Sequence, residues 1–102
     1  MTTGRFAPTP SGDLHLGNLR TALVAWCFAR SDRGRFLIRV EDLTTGAAPI
    51  RAGEQLEDLA MIGIDHDGPI VSQSDRVDLY EAALQRLAAE GRIYRCFCSR
   101  RD

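Results

Sequence analysis

The sequence predicts an α/β fold built on a parallel sheet. Three observations carry this prediction. A short strand-like run precedes a proline-interrupted loop, an amphipathic stretch follows at helical spacing, and a second β-rich run ends in two acidic residues. Strand, helix and strand in that order require a crossover connection, which is right-handed and makes the pairing parallel.

Gly4 to Pro8 reads as the first strand. Pro8-Thr9-Pro10-Ser11-Gly12 reads as a loop, because two prolines remove backbone donors and stop regular pairing. From Leu16 onward, Leu16, Leu19, Leu23 and Trp26 recur at three- and four-residue steps, which predicts an amphipathic helix running to about Ser31. Arg33-Gly34 makes a turn, and Phe36 to Val40 is the second strand, closed by Glu41-Asp42. Thr44 to Pro49 is read as a loop of small residues. Gly53 to Met61 is expected to be helical, with Leu56, Leu59 and Ala60 on one face and an end near Gly63. Asp65-His66-Asp67-Gly68-Pro69 forms a turn. Asp75 to Glu90 carries the clearest helical pattern: Val77, Tyr80, Leu84 and Leu87 share a stripe, Ser74 or Asp75 can cap its start, and Gly91 can end it. Ile93 to Phe97 is expected as a last strand. Two or three strands make a thin sheet, so the 102 residues read as part of a larger domain.

Composition narrows the functional classes. Hydrophobic residues make up 44% and charged residues 26%, a globular balance. The net charge of −1 gives no global attraction to nucleic acid or an anionic membrane, so either would have to be met by local patches. No apolar run approaches the roughly 20 residues of a membrane span, and no basic-then-apolar opening suggests a signal peptide. The expected compartment is the cytoplasm, with no membrane partner. All 13 cationic side chains are arginine, which excludes a phosphate loop ending in Gly-Lys-Ser/Thr. Three cysteines, Cys27, Cys96 and Cys98, are an odd number for a disulfide framework in a reducing compartment.

The loop after the first strand leads into His15-Leu16-Gly17-Asn18. In an open parallel sheet, ligands bind beyond the carboxyl ends of the strands, and a helix start offers free amides and a positive dipole end to phosphate. His15 can donate hydrogen bonds to phosphate oxygens, and Gly17 lacks a side chain that would block a flat base. Read alone, the tetrapeptide is more commonly a capped helix start with a surface histidine. Arg5 alone would be a surface ion-pair residue, and Glu41 a turn or cap residue.

The wider pattern changes that weighing. Arg5-Phe6-Ala7-Pro8-Thr9-Pro10-Ser11-Gly12, then His15-Leu16-Gly17-Asn18, then Arg39-Val40-Glu41-Asp42, closely resembles the glutamyl-tRNA synthetase family. His15 to Asn18 is similar to that family's HIGH signature. The resemblance continues through Gly68-Pro69, Gln73-Ser74, Arg76, Tyr80 and Cys96-Phe97-Cys98-Ser99, covering nearly the whole chain. It implies a partial Rossmann-like domain of the class I synthetase type. Residues 1–95 would form its first half, and 96–102 the start of a zinc-binding, acceptor-binding insertion.

The resemblance also implies a ligase that activates L-glutamate with ATP and magnesium and transfers it to tRNA. Arg5 would grip the glutamate side-chain carboxylate, since a planar guanidinium can make a fixed bidentate pair there. Glu41 would take the substrate ammonium, with Phe6, Ala7, Pro8 and Thr9 completing the amino-acid site. The nucleotide would lie along Pro8, Thr9, Pro10, Ser11, Gly12, Asp13, Leu14, His15, Leu16, Gly17 and Asn18, of which His15, Gly17 and Asn18 would be catalytic. Cys96 and Cys98 resemble the first two ligands of the family's zinc site, although a closed site needs four; two free thiols are the competing reading.

Within the family, Gly63-Ile64-Asp65-His66-Asp67-Gly68-Pro69, Val71, Gln73-Ser74, Arg76 and Cys96-Phe97-Cys98-Ser99-Arg100-Arg101-Asp102 look more like a shorter branch. That branch lacks the anticodon-binding region and attaches glutamate to the queuosine base of tRNA(Asp), acting as a monomer when full length. A fragment of a full glutamyl-tRNA synthetase and a non-catalytic binding remnant are the other readings. The chain departs from the family at Leu43-Thr44-Thr45-Gly46-Ala47-Ala48-Pro49, where charged positions have become small or neutral. It also has no lysine for the family's later phosphate-stabilising loop, so these residues alone are expected to show little or no adenylation.

Overall fold

A computed structural model describes residues 1–43 and 48–101. Strand β1 (Thr3–Phe6) leads through the proline loop to helix α1 (Leu16–Ser31), and strand β2 (Arg35–Val40) follows. Helix α2 (Ala48–Met61) precedes a two-residue strand β3 (Val71–Ser72), a 3-10 turn (Gln73–Arg76) and helix α3 (Val77–Ala89). The three strands form a parallel sheet in the order β1-β2-β3, with Thr3 opposite Arg35 and Arg39 opposite Val71. The expected α/β class and parallel pairing are both present.

One face of the sheet carries the core. Phe36, Ile38 and Val40 alternate inward along β2 and are buried. Phe36 and Ile38 pack with Ala22 and Ala29 of α1, Leu59 of α2, and Ile64. The opposite face bears Thr3, Arg5, Leu37 and Arg39, which period-2 alternation puts there together.

The apolar stripe expected on α1 is turned from its reading. Leu16 is 82% exposed and Leu23 is 40% exposed, whereas Ala22 and Ala29 are buried. The cause is the tightness of the helix–sheet contact. A Cβ on Gly4 would lie 3.1 Å from the Ala29 Cβ and 3.3 Å from the Ala25 carbonyl oxygen, so the inward face must be small. Leu19, Ala25 and Trp26 pack at its margins. On α2 the same correction falls on Ala60, which is exposed, while Leu59 is buried and Leu56 partly so.

Other boundaries also differ. β1 ends at Phe6, not Pro8, because the proline loop already begins to turn. α2 starts at Ala48, five residues before Gly53; a proline in a first turn forfeits no intrahelical bond. The loop expected over 44–49 otherwise falls on residues 44–47, outside those described. Neither Ser74 nor Asp75 caps α3: a 3-10 turn precedes it and Arg76 occupies the cap position without a side-chain bond. Ser74 is instead held by Asp42, whose carboxylate accepts from its backbone N–H at 2.8 Å and its hydroxyl at 2.7 Å. Ile93 to Phe97 forms no strand; it has no neighbouring strand to pair with, and it is exposed throughout. β3 lies instead at Val71–Ser72, too short for alternation to reveal.

The three α-helices among the described residues end alike. The amide pairs Gly34/Arg33, Ile64/Gly63 and Arg92/Gly91 close back on Ala29/Arg30, Leu59/Ala60 and Leu87/Ala88 at 2.7–3.1 Å. This is the Schellman arrangement, with the left-handed position taken by Arg33 (φ 54), Gly63 (φ 88) and Gly91 (φ 69). The turn after Gly63 is braced to α1. Arg30 reaches Asp65 at 2.8 Å and Asp67 at 2.7 Å, and the Trp26 indole N–H donates to Asp65 at 2.8 Å. Among the described residues, no helix is long and apolar enough to cross a membrane.

Candidate active site

The site begins with two prolines that leave a loop short of donors. The Glu41 N–H takes the Pro8 carbonyl at 2.9 Å, tying the loop to the end of β2, and Pro10 is fully buried beneath it. The loop delivers the chain to the start of α1, where His15 is the N-cap in extended conformation (φ −86, ψ 171). Here the cap is reciprocal. The Asn18 N–H donates to His15 Nδ1 at 3.2 Å, and the His15 N–H donates to Asn18 Oδ1 at 3.1 Å. A neutral imidazole that accepts through Nδ1 carries its proton on Nε2. The cap therefore fixes a tautomer with a donor available to a ligand. Gly17 is required by this ring, since a Cβ there would lie 2.9 Å from His15 Cε1.

Around this start lies a cavity of about 420 Å³ lined by Phe6, Ala7, Pro8, Thr9, Ser11, Gly12, Asp13, Leu14, His15, Asn18 and Gln55. It sits beyond the carboxyl end of β1, the ligand position of an open parallel sheet. Among the expected nucleotide residues, Pro10, Leu16 and Gly17 do not line it: Pro10 is beneath the loop, Leu16 points outward, and Gly17 supports His15. Phe6, Ala7, Pro8 and Thr9, expected to hold the amino acid, share this cavity with His15.

Arg5 and Glu41 do not line it. Arg5 lines a separate depression of about 220 Å³ with Leu37, Arg39, Val71 and Arg76, on the sheet face opposite the core. The Glu41 carboxylate accepts from Arg39 at 2.8 Å, and both side chains are about one-third exposed (34% and 36%). Arg5 faces the same side as Arg39, because it is in register with Leu37. The described residues thus form a loop cavity at the start of α1 and a separate depression on the sheet face, and no single cavity among them encloses Arg5, His15 and Glu41.

Cys96 and Cys98 are exposed free thiols, as is Cys27. No group of three or more His, Cys, Asp or Glu side chains among the described residues could hold a metal ion. Two cysteines supply half of the four ligands that a closed zinc site needs. Gln55, which the sequence reading passed over, is the buried polar residue of the cavity. Its signal was a polar side chain at the spacing of Ala52 and Leu59, in an otherwise apolar helix face.

The family model for the catalytic domain of class I tRNA synthetases (E and Q) matches residues 1–102. The chain belongs to this family. Its members are ligases, and the sequence resemblance is borne out. A glutamyl-Q tRNA(Asp) synthetase of Nocardia farcinica is 59% identical over 99 residues, covering 97% of this chain and 32% of that protein. One of Symbiobacterium thermophilum is 52% identical, covering 98% and 34%. A glutamate–tRNA ligase 1 of Sulfurovum is 41% identical, covering 100% and 22%. The crystal structure of a glutamate tRNA ligase from Elizabethkingia meningosepticum, in complex with its amino acid, superimposes with a TM-score of 0.77 at 36% identity, over 85% of this chain and 19% of that one. The chain spans about a third of the length of the glutamyl-Q relatives it matches.

Proposed function

We propose that this chain supplies the ATP- and glutamate-binding part of a ligase that activates L-glutamate and transfers it to the queuosine base of tRNA(Asp). The observation that carries the reading is the His15 cap, which sets an Nε2–H donor and a helix start against a loop cavity beyond the sheet. A glutamate carboxylate oxygen attacks the α-phosphorus of ATP, and pyrophosphate leaves. A hydroxyl of the queuosine cyclopentenediol then attacks the acyl carbon, and AMP leaves. This chain contributes positioning and charge stabilisation, with His15 and the α1 amides on the phosphates. Asp13 is the acidic side chain on the cavity wall, beside which magnesium arriving with the nucleotide would neutralise phosphate charge.

Arg5 and Glu41 hold the amino acid, Arg5 on the side-chain carboxylate and Glu41 on the ammonium. The Arg39–Glu41 pair is partly exposed, so exchanging Arg39 for a substrate ammonium costs little. Cys96 and Cys98 are two ligands of a zinc site whose other donors lie elsewhere. The names of the 59% and 52% identical relatives support tRNA(Asp) as the acceptor. The 41% identical glutamate–tRNA ligase supports a second reading, in which the chain is part of a glutamyl-tRNA synthetase that charges tRNA with glutamate.

The test is calorimetric titration of Mg·ATP into the chain and its His15→Ala variant, with glutamate-dependent ATP–pyrophosphate exchange measured in parallel. The parent chain binds, the variant binds at least about tenfold more weakly, as expected for loss of a charge-assisted hydrogen bond, and neither catalyses exchange without a lysine. No binding by the parent, or equal binding by both, overturns the nucleotide reading. Robust exchange overturns the claim that the 102 residues are insufficient.

A further inference from the structure

We propose that Gln55 is a positioning residue for the nucleotide loop, holding its backbone in the shape that aims the start of α1 at phosphate. The proposal rests on the nucleotide reading of the same cavity. Gln55 is 2% exposed and lies on α2, the helix that follows β2, yet its side chain reaches the loop that precedes α1. Its Nε2 donates to the Thr9 carbonyl at 3.1 Å and to the Gly12 carbonyl at 2.7 Å. With two carbonyl oxygens as neighbours, the amide must present its nitrogen there, and both of its hydrogens are used.

These two carbonyls bracket Pro10, which has no N–H, and Ser11, whose N–H already folds back on Thr9 at 2.9 Å. The loop cannot satisfy the Gly12 carbonyl from these groups, so α2 provides the donor. Gln55 Oε1 is buried without a hydrogen-bond partner among the described residues. An apolar residue would avoid leaving such an acceptor unmet, and Leu56 and Leu59 already supply the packing. The amide is thus accounted for by the two carbonyls it grips, not by the core. Arg51 adds a longer link from α2 to Asp13 at 3.4 Å, between exposed side chains that contribute little. The short, buried tie is the one at Gln55.

The experiment compares the chain with Gln55→Leu, which keeps bulk but removes both donors, and Gln55→Glu, which keeps shape but sets oxygen against two carbonyl oxygens. Amide hydrogen exchange and Mg·ATP titration are read on each. In both variants the Ser11 amide is expected to exchange about tenfold faster and ATP to bind about tenfold more weakly, with Phe36 and Ile38 amides protected as in the parent. ATP affinity within about twofold of the parent, while His15→Ala still weakens it, overturns this proposal and leaves the nucleotide reading standing. Loss of protection at Phe36 and Ile38 in both variants makes Gln55 a fold-stabilising residue and also overturns it. A parent chain that binds no ATP overturns the reading beneath both.

Discussion

At position 17 an added methyl would sit 2.9 Å from Cε1 and 3.0 Å from Nδ1 of His15. The glycine therefore does its work through the neighbouring ring, which could not otherwise lie over the first turn and accept from Asn18. Gly17→Ala is expected to displace that ring and cost about 1 kcal/mol, the usual value of an N-cap. Urea denaturation measures the loss, and an unchanged midpoint would show that the cap does not depend on this residue. The tetrapeptide was legible as a helix start in the sequence. Its two meanings, cap and phosphate ligand, turn out to be compatible. Capping uses Nδ1 and leaves Nε2 for the ligand.

Helix α1 shows what element-level periodicity can and cannot convey. Its limits, Leu16 to Ser31, coincide with the reading, because helical spacing and the Arg33-Gly34 stop are local properties. Which side faces the sheet is a different matter. Leucines marked the expected face, yet alanines occupy it, because Gly4 brings β1 within van der Waals contact of Ala29. Ala29→Leu is thus expected to overpack the contact and destabilise the chain by about 1–3 kcal/mol, whereas Leu23→Ala on the half-exposed side should cost well under that. Thermal denaturation of the two variants checks the order; equal losses would mean that the leucine side carries the packing after all. The strand expected at Ile93 to Phe97 failed for a related reason, since β-rich composition cannot form a strand without a partner edge.

Across the whole molecule, three aspartates bind the elements together and share one pH dependence. Asp42 is held below the usual carboxyl range chiefly by the Ser74 hydroxyl. Asp65 is lowered by the Trp26 indole N–H and then by Arg30, and Asp67 by the Phe36 N–H and then by Arg30. Each folded-state value lies below its unfolded one, so the stabilisation is complete above about pH 4 and is lost as the pH falls through the lowered values. Trp26 is the sole tryptophan, and its emission reports the loss directly. Titration from pH 6 to about pH 2 is expected to show a transition starting below about pH 4, moved upward in Asp67→Asn. A transition unaffected by Asp67→Asn would remove this brace from the account. The sequence by itself determined the α/β class and the parallel order of its first strands, because these follow from local spacing, and its ordered motifs carried the family resemblance. Tertiary structure alone decided that Ala22 and Ala29 face the sheet, that Gln55 grips the proline loop, and that Arg5 and Glu41 lie outside the His15 cavity. Those outcomes depend on how closely backbones distant in the chain approach one another, a distance that no local pattern encodes.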